Sequence, residues 1–118
     1  MSPQEYRRAP RYAVDDYVQV VDTMTDAVVG QLGNISETGM LLIANAPLAD
    51  DALYQLRFSL HESTRRPPIE VGAHLLWQER AAMPGQSWAG FRFIHILDRE
   101  LEQLREWLRA QERAQAPG

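Results

Sequence analysis

The sequence predicts a mainly β fold, a six-stranded antiparallel β-barrel with a C-terminal α-helix. Two observations carry this expectation. Short segments rich in β-branched and aromatic residues recur between residues 14 and 96, separated by stretches that contain Gly, Pro, Asn or Asp. Behind Asp98 the period changes, and Leu101, Leu104, Trp107 and Leu108 follow at helical spacing. A length of 118 residues with 45% hydrophobic content fits one ordinary globular domain.

Residues 1–12 are polar, contain proline and show no period of 2 or 3.6, which predicts a flexible N-terminal arm. The domain proper is expected over residues 13–114. Val14 to Val21 is the first expected strand, although Asp16 falls on the face of Val14, Val18 and Val20. A turn over Asp22 to Asp26 leads into a second strand, Ala27 to Ser36, interrupted by Gly30 and Gly33. Glycines at such places mark bends or bulges. Glu37 to Gly39 turns tightly into a third strand, Met40 to Ala44.

After a loop over Asn45 to Asp51, Ala52 to Leu60 alternates cleanly, with Tyr54, Leu56, Phe58 and Leu60 on one face. His61 to Pro68 is expected as a loop. Ile69 to Glu79 forms the fifth strand, with Val71, Ala73, Leu75 and Trp77 on one parity. A loop with Pro84-Gly85 precedes the sixth, Trp88 to Ile96. Asp98 suits a helix N-cap, and the acids early and Arg109 and Arg113 late suit the helix dipole. Residues 115–118 are expected as a frayed tail.

Composition narrows the function. Net charge is −4, which argues against bulk binding to nucleic acid. No apolar run approaches the ~20 residues of a membrane span, so no membrane insertion is expected. The first residues lack the apolar core of a secretory signal. The absence of cysteine excludes disulfides and thiolate metal sites and fits a cytoplasmic protein. His61, His74 and His95 are widely spaced, so no metal site is expected. No nucleophile elbow, phosphate loop or Cys/His pair is present, and no catalytic residue or cofactor is expected.

All 12 basic residues are arginine, and Arg7, Arg8 and Arg11 cluster with no acid between Glu5 and Asp15. Guanidinium groups pair bidentately with phosphate or with the O6/N7 edge of guanine. Downstream, Asn34 and Ser36 stand two apart at the end of an apolar run, a spacing that puts both on one strand face. Gly39 follows, where glycine permits positive φ and close approach of a ligand to the backbone.

Arg7-x-x-x-Arg11 followed by Asn34-x-Ser36-x-x-Gly39 resembles the PilZ domain, the bacterial receptor module for cyclic di-GMP. Gly90-Phe91-Arg92-Phe93 before a helix is similar to the end of that family's barrel, and the resemblance covers roughly residues 5–112. It implies a stand-alone receptor or adaptor, not an enzyme, that binds cyclic di-GMP and passes its level to an unidentified effector protein. The regulated process would be motility, exopolysaccharide or biofilm growth. In that role Arg7 and Arg11 clamp phosphates and guanine edges with help from Arg8, Asn34 and Ser36 read a guanine, and Gly39 admits the backbone. Asn34 stands where many members carry aspartate, so one acceptor and one donor replace two acceptors.

Trp77 has two readings: its parity with Leu75 places it in the core, while a place at the barrel mouth lets it stack on a purine. Arg92, between Phe91 and Phe93, is expected to point outward into solvent. A monomer or weak dimer is expected. The alternative is a degenerate interaction module of the same fold that binds a protein without nucleotide.

Overall fold

A computed structural model of the chain describes residues 9–45, 48–60 and 66–115. The sequence expectations for Arg7 and Arg8 lie outside them. The described strands are β1 (Tyr12–Ala13), β2 (Gln19–Asp22), β3 (Ala27–Ile35), β4 (Gly39–Ala44), β5 (Leu53–Phe58), β6 (Ile69–Arg80) and β7 (Ser87–Ile96). They are followed by the helix α1 (Asp98–Gln115). All pairings are antiparallel. The order β3-β2-β5-β6-β7-β4 closes on itself because β4 also pairs with β3. The result is the expected six-stranded barrel with its C-terminal helix, and β1 is an additional short strand on β3.

The first expected strand, Val14 to Val21, is the one that differs. It is two strands, β1 and β2, joined by a crossing segment over residues 14–18. Asp16 on the apolar parity is the physical reason: a continuous strand would turn a carboxylate toward the core. The segment is tied instead by local bonds, with the Val14 amide donating to the Gly33 carbonyl and the Leu32 amide to the Val18 carbonyl.

The core fills the barrel with alternate residues of each strand. Val20, Leu32, Leu42, Leu56, Phe58 and Val71 are among its buried members. Phe91 is also inside, meeting the ring of Tyr54 edge to face at 5.8 Å between centroids and 81° between planes. From α1, Leu104 is fully buried in the same core, and Trp107 and Leu108 pack against it.

The helix covers the barrel end where β6 starts and the β3–β4 hairpin turns. Polar contacts fasten it there, among them the ion pair of Arg66 with Glu106. The Glu70 amide donates to Glu100 Oε1 at 2.7 Å, Gln103 Nε2 donates to the Pro67 carbonyl at 2.9 Å, and Arg105 holds Glu37 in the hairpin turn. No helix among the described residues is long and apolar enough to cross a membrane.

Candidate functional site

Two β-bulges set which side chains leave the barrel wall. In a regular strand, parity alternates, so Asn34 would face inward with Leu32. Gly33 is an extra residue in β3, between Leu32 paired with Leu42 and Asn34 paired with Leu41. The bulge lets Leu32 and Ile35 both face the core and turns Asn34 out. The same happens in β6. Leu76 is the extra residue between Leu75, paired with Phe91, and Trp77, paired with Gly90. Bulges re-aim side chains in this way at the edges of sites.

Trp77 is therefore not in the core. It is 48% exposed on the outer wall, and Leu76 beside it is 52% exposed. The parity with Leu75 misplaces Trp77 because the bulge resets the count.

Register then aligns a row across four strands. Asn34 of β3 pairs with Leu41 of β4, Leu41 with Gly90 of β7, and Gly90 with Trp77 of β6. Cross-strand partners share a face, so these residues form one outward band. Gly90 leaves a gap in the band, and the indole of Trp77 lies in it: a Cβ at residue 90 would collide with the Nε1 edge of that ring. Trp77 is thus held against the strand backbone with its other face available.

Arg11 enters this band from the N-terminal side. Pairing of Tyr12 with Ile35 and of Ala13 with Asn34 fixes the chain just after it. Its Nη1 donates to Asn34 Oδ1 at 3.0 Å. Arg11, Asn34, Leu41, Leu76, Trp77 and Gly90 are among the residues lining a hollow of about 280 Å³. A second, neighbouring hollow of about 460 Å³ shares Arg11, Leu76 and Trp77 and adds Ser36, Thr38 and Arg92. Among the described residues no carboxylate lines either hollow.

Ser36 and Gly39 have local tasks. Ser36 is 1% exposed, and its Oγ accepts from the amides of Thr38 and Gly39 at 3.2 Å each. The Ser36 amide donates to the Gly39 carbonyl at 2.8 Å. The hydroxyl thus closes the turn as an acceptor of two backbone donors. Gly39 does not adopt the left-handed conformation expected of it; among the described glycines only Gly85 has positive φ. Gly39 is required for a different reason, since a Cβ there would run into the carbonyl oxygen of Phe91 on β7. The close approach it permits is between strands.

Glu37 links this turn to the helix. Its Oε2 accepts from Arg105 Nε at 3.0 Å and from Nη2 at 2.8 Å. Hydrogen bonding and attraction from Glu37 raise the Arg105 pKa above its usual value. The guanidinium is charged at every working pH.

The structure brings Arg11, Asn34 and Trp77 to one hollow, with Ser36 and Gly39 in the adjoining turn. Sequence reasoning missed Leu41, Leu76 and Gly90. Gly90 left one signal, a glycine inside an apolar strand, which marks close approach of another group. Leu41 and Leu76 left none, because both look like ordinary strand apolars.

The family model described as the PilZ domain matches residues 5–110. Among solved structures, the Bacillus subtilis inhibitor of motility MotI/DgrA aligns with a TM-score of 0.75 at 15% identity, over 93% of this chain and 52% of that one. Escherichia coli YcgR in complex with c-di-GMP aligns at 0.72 and 17% identity, over 92% of this chain and 46% of that one. The PilZ domain of YcgR with c-di-GMP aligns at 0.68 and 16% identity, over 92% of both chains. The chain thus spans about half the length of the first two proteins and nearly all of the isolated domain. No curated protein sequence matches significantly.

Proposed function

This chain belongs to the PilZ domain family, and from that premise we propose that it is a receptor for cyclic di-GMP. Arg11 and Asn34 bind the nucleotide together, and Trp77 stacks on a guanine. The single observation that carries this reading is the outward band across four strands, which sets a guanidinium and an amide opposite a seated indole. Such a band suits a ligand with flat bases and phosphates, because the indole offers a π-face and the arginine a planar fork.

Arg7 and Arg8 complete the clamp from the preceding residues. Ser36 supports the site by shaping its turn and contributes a hydroxyl at the hollow's edge, and Gly39 keeps that turn close to β7. The structures of YcgR with c-di-GMP support the choice of ligand. The receptor acts in the cytoplasm as an adaptor that passes nucleotide level to an effector protein. The control of motility is favoured among its outputs by the likeness to an inhibitor of motility; exopolysaccharide and biofilm growth belong to the same class of output.

Calorimetric titration tests the reading. Saturable binding of cyclic di-GMP is expected, with none of GTP at the same concentration. A hydrogen bond to a charged group contributes roughly 1.5–3 kcal/mol, so Arg11→Ala should weaken binding about tenfold or more. A folded parent protein that gives no heat with cyclic di-GMP overturns the proposal and leaves the nucleotide-independent interaction module.

A further inference from the structure

We propose that Arg92 is a second cationic contact of the same site, holding a phosphate of the bound nucleotide across Trp77 from Arg11. The inference rests on the reading of the site as a cyclic di-GMP receptor. Sequence alone sends this side chain to solvent, because Phe91 and Phe93 flank it.

The register says more than that. Gly90 and Arg92 are two apart on β7 and share its outer face, about 6.6 Å apart along the strand. Arg92 therefore stands one step from the band that carries Trp77. Its partner on one side is Gly39, which has no side chain to occupy the space over β4. Its partner on the other side is His74, which is engaged with Asp51 at 2.6 Å. Arg92 lines the larger hollow together with Arg11, Ser36, Thr38, Leu76 and Trp77.

Charge argues the same way. Among the described residues, Arg57, Arg66, Arg105 and Arg109 have carboxylate partners, whereas Arg92, like Arg11, Arg80, Arg99 and Arg113, makes no ion pair with another described residue. Two guanidinium groups thus border a hollow that no carboxylate of the described residues lines, in a chain of net charge −4. An unpaired arginine beside a stacking surface is suited to a phosphate that the stacked base brings with it. Gly39 gains a further meaning here: besides letting β4 approach β7, it leaves Arg92 an open side toward the hollow.

The test is calorimetry with cyclic di-GMP on the full chain, at two ionic strengths, for the parent, Arg92→Ala, Arg92→Lys and the control Arg80→Ala at the far end of β6, which lines neither hollow. Expected is a loss of about tenfold for Arg92→Ala, partial recovery with Lys, and no change for Arg80→Ala. Salt screens a lost ion contact less than a present one, so the affinity of Arg92→Ala should also fall less steeply with salt than that of the parent. A parent that binds while Arg92→Ala binds equally well, with the same salt dependence, overturns this inference and leaves the receptor reading intact. A parent that does not bind overturns both. Unchanged thermal unfolding of Arg92→Ala is the expected check that the exposed substitution leaves the barrel whole.

Discussion

Single residues at this site fall into those that face the hollow and those that make room for them. Gly90 belongs to the second group. Replacing it by alanine places a methyl group where the Trp77 indole lies, and the ring must leave its seat or the strands must part. Gly90→Ala is expected to shift the tryptophan emission and to weaken cyclic di-GMP binding about as much as Trp77→Ala does. Unchanged binding with a displaced ring would show that the indole is not part of the ligand surface. Asn34 illustrates a different point. Its oxygen already accepts from Arg11, and Asn34→Asp keeps that acceptor while adding another. Equal or tighter binding is therefore the expected result of a titration, and a marked loss would mean that the amide N–H is the group the ligand needs.

At the scale of elements, the hairpin turn and the two bulges decide what the strands present. Ser36→Ala leaves the amides of Thr38 and Gly39 without their acceptor, a cost of about 1–3 kcal/mol for buried donors. Gly39→Val pushes β4 against the Phe91 carbonyl, and overpacking of this kind costs about 1–3 kcal/mol or more. Both variants should lose stability in denaturant unfolding as well as affinity, whereas Arg11→Ala should lose affinity alone. A Ser36→Ala protein of parental stability that no longer binds would assign the hydroxyl to the ligand instead. The elements also explain what was legible beforehand. The alternation of Tyr54, Leu56 and Phe58 and the helical stripe of Leu104, Trp107 and Leu108 announced their strand and helix, because burial on one face writes itself into spacing. The motif residues from Asn34 to Gly39 were visible as turn chemistry. Trp77 was misplaced because a bulge at a leucine leaves no compositional mark, and one extra residue inverts every later parity. Leu41, Gly90 and Arg92 were hidden for another reason: they are neighbours only through cross-strand register, which no single strand contains.

For the whole molecule, β1 ties the chain to the barrel immediately after Arg11, so that Tyr12, the last residue of the expected arm, is already paired. Tyr12 and Ala13 pair with β3, and the Val14 amide is bonded to Gly33. Amide exchange of Val14 should be slow in the nucleotide-free protein, and adding cyclic di-GMP should slow it little further; fast exchange that slows strongly on binding would show that β1 forms only around the ligand. The closing ladder between β4 and β7 has a consequence for the life of the chain during synthesis. The band that would receive the nucleotide joins Asn34 and Leu41 to Trp77 and Gly90, so it cannot exist until β7 has been made and the barrel has shut. Contacts of such long sequence separation form late. A nascent, stalled or clipped chain that ends before Gly90 can carry the complete arginine and Asn-x-Ser-x-x-Gly motifs and still be unable to sequester any second messenger. On the proposed receptor reading, damage of that kind yields silent fragments and not competitors for the signal.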